Sequence, residues 1–73
     1  MEKTTAEKLK IGDYFKIDLP KKRKVYEVFR TINFSGKEDI PEGLEDKLLI
    51  IVDKCKQLIC DPDFKVIKLT EKP

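Results

Sequence analysis

Cys55 and Cys60 are the only thiols in a chain of 73 residues that holds no histidine. A cysteine nucleophile needs a nearby base, usually an imidazole, to take its proton. Ser35 lacks that partner for the same reason. As metal ligands the thiols form a lone C-x4-C pair, and structural zinc needs four donors. The carboxylates Glu38, Asp39, Glu42, Glu45 and Asp46 straddle Pro41 and Gly43 and lack the alternating Asp/Asn spacing of a calcium loop. No acid–base pair, nucleophile or metal set emerges. The expectation is a non-enzymatic protein with no cofactor and no metal.

The charged residues hold more information, because they are sorted by sign. Residues 20–34 carry five cations (Lys21, Lys22, Arg23, Lys24 and Arg30) against Glu27 alone, whereas residues 35–46 carry the five acids against Lys37 alone. The formal net charge is only +2, too small to imply nucleic acid by itself. The surface should therefore be bipolar. Four adjacent cations can still engage phosphates, since each neutralised phosphate releases condensed counterions. The polyanion-contact candidates are Lys21, Lys22, Arg23, Lys24, Arg30, Lys54 and Lys56, with Tyr26 or Phe29 as a stacking face. The acidic residues 38, 39, 42, 45 and 46 are the candidate loop for docking a basic partner, or a solvated, mobile segment.

Elements that could position these groups follow from apolar periodicity. Phe15, Ile17 and Leu19 alternate with Tyr14, Lys16 and Asp18, the period of a half-buried strand. The turn signals Gly12-Asp13, Pro20, Ser35-Gly36-Lys37, Asp53–Lys56 and Asp61-Pro62-Asp63 divide the chain. Five strands are predicted over residues 13–19, 25–34, 47–53, 57–60 and 64–70. The second is long, with Tyr26, Val28, Ile32 and Phe34 on one face and Arg30 interrupting them. The continuous run Leu48–Val52 suits a central strand, and the parity change between Val66 and Ile67 predicts a bulge or a twist there. Buried positions should be Phe15, Ile17, Val28, Ile50, Val52, Leu58, Val66 and Leu69. Residues 1–8 read as a polar tail or a short helical turn capped by Thr4 or Thr5. Residues 9–70 read as one small β-barrel domain and 71–73 as a tail. The hydrophobic content of 40% is concentrated in the strands, enough for one core in a chain this short.

No apolar run reaches the length of a membrane span or a signal segment. A cytoplasmic location is the default, with both thiols reduced. A two-residue hairpin tip at Lys54-Cys55 would place Cys60 opposite Leu49, far from Cys55.

The opening Lys8-Leu9-Lys10-Ile11-Gly12-Asp13-Tyr14-Phe15 resembles the start of small SH3-like barrels, where a Gly-Asp turn launches the first strand. Asp61-Pro62-Asp63-Phe64-Lys65-Val66 resembles the short turn before their last strand. The resemblance implies an all-β, five-stranded SH3-like small barrel. Signalling SH3 domains grip proline-rich helices on an aromatic groove that includes tryptophan. This chain has no tryptophan, so that ligand is not expected. The leading expectation is a protein-interaction or small regulatory or adaptor domain, with a protein partner oriented by the bipolar charge. The alternative is contact with a nucleic-acid backbone through the basic loop 21–24.

Overall fold

A computed structural model describes residues 1–70; the tail expected at 71–73 lies outside them. The strands are β1 (Glu2–Thr5), β2 (Tyr14–Ile17), β3 (Tyr26–Asn33), β4 (Leu48–Val52), β5 (Lys56–Cys60) and β6 (Lys65–Leu69). They form one antiparallel sheet in the order β1-β6-β2-β3-β4-β5. The all-β reading holds. The barrel of five strands is corrected on two points: among the described residues there are six strands, and the sheet is open, with β1 and β5 as its edges.

The additional strand lies where a tail or a helical turn was expected. Glu2-Lys3-Thr4-Thr5 has no apolar alternation, and it is a strand because β6 supplies a template over four paired positions. The helical expectation survives in part, as a 3-10 turn over Ala6–Lys8. Thr5 occupies its cap position but makes no side-chain capping bond. Behind β1 the chain dives inward, and Ala6 and Leu9 are buried in the core.

Gly12, at φ +93°, turns the chain into β2. Its N–H donates to the Val28 carbonyl at 2.9 Å, and the Lys10 N–H donates to the Asp13 carboxylate at 2.8 Å. β3 then serves both halves of the sheet. Tyr26 and Glu27 pair with β2, while Val28 to Asn33 pair with β4. The register shifts between Val28 and Arg30, leaving Phe29 unpaired in a β-bulge. That shift corrects the expected face of β3. Val28 lies opposite Val52 on the core face, but beyond the bulge Thr31 and Asn33 take that face, opposite Ile50 and Leu48. Arg30 and Ile32 therefore share the outer face with Ile51 and Leu49, and Arg30 no longer interrupts an apolar row. β6 pairs without any shift, so of the bulge or twist expected at Val66–Ile67 the bulge does not form.

The core is one cluster: Ala6, Leu9, Phe15, Val28, Leu48, Ile50, Val52 and Val66. Five of the eight expected core residues are buried, whereas Ile17, Leu58 and Leu69 are only half-buried. Phe15 stacks on Tyr26, with ring centroids 5.5 Å apart. No helix among the described residues is long and apolar enough to cross a membrane.

Candidate docking surface at an open sheet edge

The β4–β5 hairpin is where apolar groups, charge and free backbone come together. Its tip is a three-residue loop, Asp53 to Cys55, so Val52 pairs with Lys56 and Cys60 with Leu48. The expected tip at Lys54-Cys55 and the Leu49 pairing are thus off by one residue. Asp53 and Lys54 both adopt positive φ, 49° and 75°, a conformation that β-carbon-bearing residues adopt at a cost. The corrected register places Ile50 opposite Leu58 on the concave face, and Leu49 opposite Ile59 on the outer face. Both thiols are free.

β5 closes the sheet order, so among the described residues its far side pairs with no strand. Beside it lies a cleft of about 390 Å³. Leu58, Ile59 and Cys60 form one wall, and Phe15, Phe64 and Val66 contribute to the rest. This is the seam that the open sheet leaves between its two halves. Ile59 is 54% exposed and Phe64 37%. On the outer face, Ile32, Leu49 and Ile59 form one cross-strand aliphatic row that ends at the free edge.

The two ends of this hairpin differ in sign. At the tip, Lys24 Nζ lies 3.7 Å from the Asp53 carboxylate and 5.1 Å from the Tyr26 ring centroid. Asp53 also accepts from the Glu27 N–H at 3.3 Å. Close approach of the Lys24 ammonium, a like charge, lowers the Lys56 pKa from its ordinary value. At the other end, Lys47 donates to Asp61. That bond, reinforced by the attraction between the two charges, raises the Lys47 pKa. Asp63 and the acidic loop lie at this end too, since the loop leads directly into β4. Burial, and then the Asp61 charge, push the Cys60 thiol up.

Of the seven polyanion-contact candidates, Lys24, Lys54 and Lys56 gather at the tip. Lys21, Lys22 and Arg23 are exposed along the loop leading to it. Arg30 stands apart, exposed on the outer face opposite Ile51. Glu38, Asp39, Glu42, Glu45 and Asp46 are all exposed. Their loop is folded by turns: the Leu44 N–H donates to the Pro41 carbonyl, and the Gly43 N–H to the Glu45 carboxylate, both at 3.1 Å. Among the described residues no group of three or more His, Cys, Asp or Glu side chains is placed to hold a metal ion.

Leu58, Ile59 and Phe64 were not singled out as site residues from the sequence. The available signal was the adjacency of Leu58 and Ile59, which puts apolar groups on both faces of a short strand. No family model matches the chain, and no curated protein or solved structure is detectably similar to it.

Proposed function

We propose that this protein is a non-enzymatic protein-interaction module that docks its partner along the free edge of β5. The observation that carries the reading is an unpaired, apolar edge strand opening onto an apolar cleft. Strand addition at such an edge draws affinity from main-chain hydrogen bonds and specificity from side-chain pockets. The opposite charges at the two hairpin ends would set the partner's direction. The non-enzymatic part rests on the sequence, where neither thiol has an imidazole base. The SH3-like reading belongs here too: β2 to β5 form a consecutive meander and β6 returns beside β2, an order that resembles that fold, with β1 added outside it.

A displayed library of extended peptides, selected on the protein and mapped by amide chemical shifts, tests this. Bound peptides should shift β5 amides and the methyls of Leu58 and Ile59, and Ile59→Lys should abolish binding. Peptides that map only elsewhere, or an Ile59→Lys protein that binds as well as the original, would overturn the reading.

A second reading, contact with a nucleic-acid backbone, is favoured by one observation: Lys24, Lys54 and Lys56 share the hairpin tip. Asp53 sits among them and weakens it. Titration with mixed nucleic acid at low and high salt separates the readings, because phosphate contacts fade steeply with salt.

A further inference from the structure

We infer that the strand added to β5 is the β5 of a second copy of this chain, running antiparallel about a twofold axis at Ile59. The inference rests on the β5 edge being the docking surface and names its occupant. Three features of that edge point to self-pairing.

The first is charge. Lys54 and Lys56 lie at the start of β5, and Asp61 and Asp63 follow its end. Antiparallel pairing of two identical strands sets the start of each beside the end of the other. The cationic end of one copy then meets the anionic end of its partner, twice. A twofold interface uses one patch on both subunits, so that patch must be complementary to itself. This edge is.

The second is the aliphatic row. Ile32, Leu49 and Ile59 are cross-strand neighbours on the outer face, and the row stops at Ile59 because the sheet stops there. Antiparallel partners point to the same face, so symmetric pairing joins residues of equal parity. With the axis at Ile59, the row runs unbroken through both copies. Ile59 then sits against Ile59 of the partner subunit and leaves solvent.

The third is the concave face. The same register sets Leu58 opposite Cys60 of the partner subunit, next to the existing pair Ile50–Leu58. The apolar cleft beside β5 is thereby covered from its open side. Pro62 has no N–H to donate, so the added ladder ends at Asp61, and the match is confined to β5 and its first flanking residue.

The register makes the test sharp. In a Cys55→Ser, Cys60→Ser background, Ile59→Cys should give a disulfide-linked dimer under mild oxidation. Directly paired strand residues have Cα atoms about 4.5–5.5 Å apart, within disulfide reach. Gln57→Cys in that background should remain unlinked, because it faces Asp61 of the partner subunit. Linking of Gln57→Cys without Ile59→Cys would overturn the register.

Charge reversal supplies a test free of thiols. Lys54→Glu/Lys56→Glu and Asp61→Lys/Asp63→Lys should each sediment as single chains at concentrations where the original protein is dimeric. Their equimolar mixture should recover the dimer, because each reversed end then meets its opposite. A mixture that stays monomeric while the original dimerises would overturn antiparallel pairing, as would an original protein monomeric throughout the concentration series. A monomer that nonetheless binds displayed peptides at β5 would refute the second copy alone. A monomer that binds none there would refute the docking surface itself.

Discussion

β1 and β5 are both edges of the same sheet, yet they are made of different material. β1 offers Glu2, Lys3, Thr4 and Thr5, polar residues on a short strand. β5 begins with Lys56 and Gln57 and continues with Leu58, Ile59 and Cys60, which put apolar groups on both faces. Short, charged edges discourage further pairing, whereas apolar edges invite it. Their attachment differs as well. The chain leaving β1 is anchored at once by Ala6 and Leu9 in the core, and the Ala6 and Glu7 N–H groups donate to the Phe64 and Pro62 carbonyls at 2.8 and 2.9 Å. Among the described residues β5 is held by β4 on one side only, through a turn with two left-handed residues. One edge is polar and anchored at once into the core, and the other exposes Ile59 beside a strand face that no described strand covers.

The largest expected effect tests the anchor. Leu9→Ala should cost about 2–5 kcal/mol by removing buried methyl groups and leaving a cavity. Ile59→Ala should cost under about 0.5 kcal/mol in the dilute, single-chain state, since its side chain faces water there. Denaturant unfolding at low protein concentration measures both. Equal losses would mean that the two edges are alike in their attachment.

A smaller effect tests the turn. Lys54→Gly should stabilise the single chain by about 0.5–1 kcal/mol, because glycine adopts positive φ without a steric penalty. A loss of stability on this change would show that the Lys54 side chain makes a contact worth more than the strain.

The smallest effect tests the seam beside β5. Exposed Cys55 should be alkylated well before Cys60. The raised Cys60 pKa also gives stability a sign. Above the ordinary thiol pKa of about 8.5, the unfolded chain releases this proton while the folded chain keeps it. Stability from the group is complete below that range and is lost as pH rises through the folded value. Unfolding curves at neutral and alkaline pH should therefore show a steeper alkaline loss in the original protein than in Cys60→Ser. Equal slopes would place Cys60 in a wetter site than the cleft wall.

What was legible in the sequence was periodic. Phe15, Val28, Ile50, Val52 and Val66 could be placed inside because side chains of a strand alternate between its faces. β1 was not legible: Glu-Lys-Thr-Thr carries no period, and only β6 makes it a strand. The faces of β3 were misread beyond Val28, because alternation assumes that every residue takes part in the ladder. The exposure of β5 at the sheet edge was hidden for a different reason. Whether a strand is central or terminal depends on the order in which strands assemble, and Lys56–Cys60 has the same composition in either place. The charge sorting was visible, but the sequence could not show that its two signs lie at opposite ends of one hairpin.

The bulge in β3 leads to one more consequence. Every other position in that strand is tied to a counterpart, so adding or removing a residue there would turn all later side chains to the wrong side. Phe29 has no counterpart in β4. Deleting it would leave Val28 opposite Val52 and Arg30 opposite Ile51. What would go is the local bend that lets β3 pass from one half of the sheet to the other. Phe29 thus sets the bend of β3 without setting its register.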